Sequence, residues 1–191
     1  MDGRGTAVPL PGRWTWWYKD PCANNENWTS RLQELFDVKT SAEYATAYGA
    51  AKLPSALAPG AGYYVFRHRV WPAWEAEPNR GAGAWTATIE PARGDASAAV
   101  DFAWSDLLFL LVSEGFGQLS GYVCGVTCSA KPRGRHKVGV WTVRTTAANH
   151  RYILMVGRLL GTVLRNACGA TVPIAYKPHE GTRDSFDYAI S

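Results

Sequence analysis

The sequence predicts an α+β fold in which a mostly antiparallel β-sheet carries helices packed on one face. Three observations support this. Short runs rich in aromatic and β-branched residues recur along the chain, several joined by hairpin-like turns. Longer runs place apolar residues at helical spacing, and the two kinds alternate irregularly. A chain of 191 residues suits a single core, so residues 13–191 are expected to form one domain behind a flexible Gly/Pro-rich tail at residues 1–12.

Trp14 to Tyr18 is aromatic and reads as a strand. Thr40 and Ser41 precede Glu43 as a helix cap, and Tyr44, Ala47, Tyr48 and Ala51 continue a short helix that must stop by Pro54. Pro59-Gly60 turns the chain into a strand over Tyr63–Phe66. Trp71-Pro-Ala-Trp74 is a loop, because the residue before a proline is pushed out of the helical region. Residues 78–83 form a second loop and Trp85–Ile89 a strand. Asp95 or Ser97 caps a helix from Ala98 to Glu114, whose core stripe is Trp104, Leu107, Leu108 and Leu111, with Phe109 and Val112 off that stripe. Tyr122–Ala130 and Lys137–Arg144 flank a basic turn as a hairpin. Ile153, Val156, Leu160, Val163 and Leu164 mark a helix over residues 148–167, and Val172–Tyr176 a further strand. Arg151, Arg158 and Arg165 read as one solvated stripe of that helix.

Charge is distributed unevenly. Residues 1–114 carry ten Lys/Arg against thirteen Asp/Glu, whereas the 65 residues from Gly115 to His179 hold nine Lys/Arg and no acid. Such a stretch sets up a positive field attractive to phosphates, against the plainer reading of a solvated basic face. Aromatics make up 13% of the chain, with nine tryptophans, so some rings are expected at a surface. The N-terminal residues lack the apolar run of a secretory signal, and the apolar run Leu107–Ser113 is too short for a membrane span. The expectation is a soluble intracellular protein with no membrane partner and free cysteines. Cys124 and Cys128, on one face of a strand, would be about 13 Å apart, beyond disulfide reach.

The most informative stretch is Trp71-Pro-Ala-Trp74-Glu75. A loop tryptophan can stack on a base, and an adjacent carboxylate can accept both donors on the Watson–Crick edge of guanine. Methylation at N7 gives the base a positive charge that strengthens both contacts. The alternative is an ordinary loop packing its indole on the domain, and both readings stay open on these residues alone. Trp28 sits in a similar polar stretch, so two loop tryptophans could sandwich one base. Lys131, Arg133, Arg135 and Lys137 alternate, and in extended chain they would share one side; Lys137, Gly139 and Trp141 likewise share a strand face. No phosphate loop, nucleophile elbow or His-Glu-x-x-His motif occurs. Glu75 and Glu77 are too few acids for a typical Mg²⁺ phosphohydrolase, and neither catalysis, cofactor nor metal is expected.

The ordered landmarks Pro9-Leu10, Arg13-Trp14, Trp28, Phe36-Asp37, Tyr44, Tyr48, Pro59-Gly60, Trp74-Glu75, Trp85, Trp104, Glu114, Val123-Cys124-Gly125, Trp141-Thr142 and Tyr176 with His179 resemble the cap-binding translation initiation factor 4E family from Val8 to His179. The resemblance implies a curved antiparallel sheet with three helices on its convex face and a pocket for the mRNA 5′ cap on the concave side. Trp28 and Trp74 look like the rings that sandwich 7-methylguanine, Glu75 like the carboxylate that reads it, and Trp141 like the indole beside the methyl group. Lys131, Arg133 and Lys137 look like the cations on the phosphate chain, in a turn one residue longer than the family's where Arg135 and His136 are extra; Arg135 joins the three as a candidate phosphate-binding residue. Pro9, Ala45, Asp106, Phe109, Val112 and Ser113 match positions that hold a helical partner, an initiation factor 4G-like scaffold or a 4E-binding protein; Ala45 replaces the family's usual tryptophan. The implied function is binding of capped mRNA by a monomer in translation initiation, in the cytoplasm with the nucleus as a second location. A cap-binding translational repressor, a carbohydrate-binding module and a cap hydrolase are the rival readings.

Overall fold

A computed structural model describes residues 7–22, 28–77, 79–90, 96–179 and 189–190, the side chains of residues 28, 29, 96 and 97 apart. The strands are β1 (Pro9–Lys19), β2 (Leu32–Thr40), β3 (Gly62–Arg67), β4 (Gly83–Ile89), β5 (Val123–Ala130), β6 (His136–Thr142), β7 (Ile174–Pro178) and β8 (Ala189–Ile190). They form one curved sheet in the order β2-β1-β3-β5-β6-β4-β7-β8, antiparallel at every junction. Three helices, α1 (Ser41–Ala50), α2 (Ala96–Val112) and α3 (His150–Cys168), pack on its convex face. The predicted α+β class therefore holds, and the described residues contain the three helices expected.

The helices form where the sequence places them and for the expected reasons. Thr40 Oγ1 accepts the Glu43 N–H at 3.2 Å and Glu43 Oε2 accepts the Thr40 N–H at 3.0 Å, a reciprocal cap that starts α1. Trp104, Leu107, Leu108 and Leu111 of α2 are buried, as are Ile153, Val156, Leu160, Val163 and Leu164 of α3. Arg151, Arg158 and Arg165 are exposed. Trp85 of β4 locks α3 to the sheet: its indole N–H donates to the Ile153 carbonyl at 2.7 Å, and Gly157 lies so close that a Cβ there would sit 2.5 Å from the ring. The expected caps Asp95 and Ser97 lie outside the described residues and side chains.

Several expectations need correction. The stretch read as a flexible tail enters the sheet at Pro9, because Pro9 pairs with Thr40 and the Ser41 N–H donates to the Val8 carbonyl at 2.8 Å. The sequence reading assigned no strand to β2 or β8. Cys124 and Cys128 do not share a face: a register shift between Val123 and Gly125 turns Cys124 toward Phe66 on the concave side, while Cys128 stays in the main core. The cysteines at 22, 124, 128 and 168 are free, and burial pushes the Cys124 thiol up to about 11.

Candidate functional site

With the helices covering one face, the concave face of the central strands stays open. Register fixes its layout. One row across the sheet reads Phe66, Gly125, Trp141, Ala84, Lys177, and the next reads Tyr64, Thr127, Gly139, Thr86, Ala175. Small residues thus make a floor between larger walls. Gly125 is required there, because a Cβ would lie 2.6 Å from the Phe66 ring, which crosses it to meet Trp141 edge-on at 5.2 Å. The result is a cavity of about 260 Å³ whose wall includes Tyr64, Thr86, Thr127, Lys131, Lys137, Trp141, Lys177 and His179. As the alternation predicted, Lys137 and Trp141 face it together while Val138 and Val140 enter the core.

Trp141 is half-buried between Phe66 and His179, the latter ring 4.1 Å away. Burial drives the His179 pKa down to about 4, which keeps the imidazole neutral near pH 7. Burial also lowers the Lys137 pKa, and the charges of Lys131 and Lys177 lower it further. Lys19 at the end of β1 is lowered by burial, then by Lys131 and Arg31. Like charges gathered in this way favour an anion between them.

The loop from His68 to Ala82 leaves β3 and doubles back over the concave face. Trp71 lands on Trp17, their rings 4.4 Å apart. Asn79, fully buried, ties the loop by donating to the Trp71 and Ala73 carbonyls at 2.8 and 2.9 Å. This braced turn holds Trp74 outward, 41% exposed, with Glu75 exposed beside it. Arg80 bonds the Glu75 carbonyl oxygen and pairs with Glu77, so the Glu75 carboxylate takes neither contact. At the loop's end the His179 N–H donates to the Ala82 carbonyl at 2.8 Å, linking this segment to the wall that holds Trp141.

The remaining predicted residues separate. Trp28 opens a short 3₁₀ turn, Trp28–Arg31, beside the end of β1, but its ring lies outside the described side chains. The basic turn is not extended, so its four cations do not share one side. The chain closes through a 3₁₀ turn, Pro132–Gly134, with Arg133 at φ 64°, and the Lys131 N–H donates to the Arg135 carbonyl at 2.8 Å. Lys131 and Lys137 line the cavity; Arg133 is exposed at the tip, and Arg135 folds back with its Nε donating to the Pro132 carbonyl. On the helical side, Asp106 and Phe109 of α2 are exposed, as are Ala45 on α1 and Pro9 at the start of β1, while Ser113 is half-buried. Val112 is 3% exposed and belongs to the core, contrary to its expected place on the partner face: the apolar stripe of α2 is wider than Trp104, Leu107, Leu108 and Leu111 alone.

The sequence reading left Phe102 and Lys177 out of its candidate residues. Phe102 is 64% exposed, two helical turns before Phe109, and that spacing of seven was visible in the sequence. Lys177 was countable as a cation of the acid-free segment, but its place across Ala84 from Trp141 needs the strand register. Among the described residues no three His, Cys, Asp or Glu gather as a metal cluster, and no helix is long and apolar enough to cross a membrane.

A model of the eukaryotic initiation factor 4E family matches residues 9–187. The chain belongs to that family. It is 35% identical over 134 residues to eukaryotic translation initiation factor 4E-1 of Caenorhabditis elegans, covering 70% of this chain and 61% of the relative, so the match spans about three fifths of that protein's length. To human eukaryotic translation initiation factor 4E it is 27% identical over 175 residues, 91% of this chain and 76% of the relative. The fold is similar to that of eIF4E-3 from Caenorhabditis elegans, solved with the 4E-binding protein Mextli and a cap analog. The TM-score is 0.78 at 26% identity, covering 90% of this chain and 92% of the other.

Proposed function

We propose that this initiation factor 4E family protein binds the 7-methylguanosine 5′ cap of mRNA on its concave face and recruits a helical scaffold or 4E-binding partner through its helical face, in translation initiation. The observation that carries the reading is a cavity that places an indole, Trp141, in one wall with Lys131 and Lys137, while a braced loop presents Trp74 and Glu75 toward solvent. Trp74 stacks on one side of the base and Trp28 is assigned the other; Glu75 accepts the two donors of guanine, and Trp141 faces the methyl group. Positive charge on the N7-methylated ring strengthens the indole stacking and the carboxylate hydrogen bonds together. Lys131 and Lys137 take the phosphates. A cap-binding relative solved with a partner protein and a cap analog supports both halves of the reading. The role is binding rather than catalysis, exercised in the cytoplasm.

The test is titration with 7-methylguanosine triphosphate and with GTP, following tryptophan fluorescence. GTP and its methylated form both stack, but only the methylated ring carries the positive charge that adds a cation–π gain of up to ~2 kcal/mol in a desolvated site, so the methylated nucleotide should bind at least tenfold more tightly, and Trp74→Ala or Glu75→Ala should remove most of that advantage. Equal affinity for the two nucleotides would overturn the reading.

A further inference from the structure

We propose that Lys177 is a phosphate-binding residue of this chain, forming with Lys137 a two-lysine clamp on the phosphate chain of the bound nucleotide; the proposal rests on the nucleotide-binding reading above. Register places Lys177 level with Trp141, one strand beyond Ala84, while Lys137 lies four residues back along β6, so the two backbones are about 13 Å apart along the strands at ~3.3 Å per residue and two strand spacings, about 9.5 Å, apart across them. Lysine side chains are long enough to close much of that gap, and both line the Trp141 cavity. Both also line a neighbouring cavity of about 550 Å³ over β4 and β7, which shares Thr86 with the first and continues past Thr88 toward Glu90. The two lysines therefore stand at the doorway between the cavities, where a chain of phosphates leading away from a base at Trp141 would pass.

The charge arrangement points the same way. Lys137 is part-buried and feels Lys131 and Lys177 as repulsive neighbours, and among the described residues no salt bridge compensates any of the three. Glu90 lines the far end of the second cavity but forms no salt bridge with either lysine, and ammonium groups gathered without a paired carboxylate oppose folding slightly and favour a polyanion. Ala84, which stands between Trp141 and Lys177, leaves the path clear for the Lys177 side chain. With Arg133 and Arg135 turned to the outside of the hairpin, Lys177 restores the third cation that a triphosphate would meet.

The experiment measures binding of 7-methylguanosine mono-, di- and triphosphate, and of GTP, to the wild type and to Lys177→Gln and Lys177→Arg. Lys177 is exposed, so the substitutions leave the fold intact, which circular dichroism and thermal melting check. Loss of one charge-assisted contact should weaken triphosphate binding about tenfold in Lys177→Gln, with a smaller loss on the monophosphate and recovery in Lys177→Arg. The slope of log affinity against log salt for the triphosphate should fall by about 0.7 in Lys177→Gln. No loss, or the same loss on mono- and triphosphate, would overturn the proposal. Failure of the cap reading shows separately, as equal wild-type affinity for GTP and its methylated form, whatever Lys177 contributes.

Discussion

The His179 imidazole packs on the Trp141 indole with 4.1 Å between ring centroids, and burial holds it neutral down to about pH 4. In the unfolded chain the same group takes up a proton near pH 6.5, so between these values the unfolded state carries more protons and stability falls as the pH falls. Because the imidazole keeps some contact with solvent, the loss from pH 7 to 4 should be on the order of 1–2 kcal/mol rather than the full value of the shift. Urea unfolding at pH 7, 5.5 and 4.5 checks this. The decline should be shallower in His179→Gln; an unchanged slope would assign the acid sensitivity to other groups. Below about pH 4, loss of the Arg13-paired Asp37 carboxylate, whose pKa is held low by that partner, should add a second decline.

Asn79→Ala tests the bracing of the loop. Its amide is the donor for the Trp71 and Ala73 carbonyls inside a buried turn. Removing it strands two acceptors, at a cost of about 1–3 kcal/mol. Because that turn aims Trp74, Asn79→Ala should also weaken binding of the methylated nucleotide by fivefold or more while leaving the charge-driven salt dependence intact. Calorimetry across a salt series separates the two effects.

What could be read from the sequence follows from how local each signal is. The capping box Thr40–Glu43, the stripes of α2 and α3 and the strand alternation from Lys137 to Trp141 each lie within one element, and all held. Where contacts from distant strands decide, local pattern fails. Cys124 changes face because of a bulge against β6, and Val112 is covered by a core broader than its own helix reveals. The even spacing of Lys131, Arg133, Arg135 and Lys137 signals a shared face only if the chain is extended, and the 3₁₀ turn with Arg133 at positive φ cancels it. Lys177 enters the site only through the order β6-β4-β7, which no local periodicity encodes.

That partition of the basic turn gives a third prediction. Lys131→Ala with Lys137→Ala should lower the salt slope of nucleotide binding by roughly 1.4, at ~0.7 per phosphate contact. Arg133→Gly should leave the slope unchanged and raise stability, since a non-glycine residue in the left-handed region costs roughly 1–2 kcal/mol that glycine avoids. Fluorescence titration from low to high salt, with thermal melting alongside, checks both. A drop in slope for Arg133→Gly would put the tip of the turn back in contact with phosphate.

Phe102 and Phe109 are 64% and 63% exposed on α2, seven residues and so about 10 Å apart along the helix axis, with the exposed Asp106 between them. Two large rings on one exposed face are more apolar surface than solubility needs, and a partner helix would bury its apolar anchors between them. Interface energy concentrates in such aromatic anchors, and truncating one typically costs ~2 kcal/mol or more. Phe102→Ala and Phe109→Ala should therefore each weaken binding of a peptide from a 4E-binding protein by at least tenfold without lowering the melting temperature. Val112→Ala should behave in the opposite way, losing roughly 2 kcal/mol of stability through its buried methyl groups and little affinity. Ala45→Trp adds contact area on exposed α1 and should tighten the same peptide if that helix shares the docking face. Calorimetry with the four variants decides the matter: unchanged affinity in both phenylalanine variants would move the partner site away from α2.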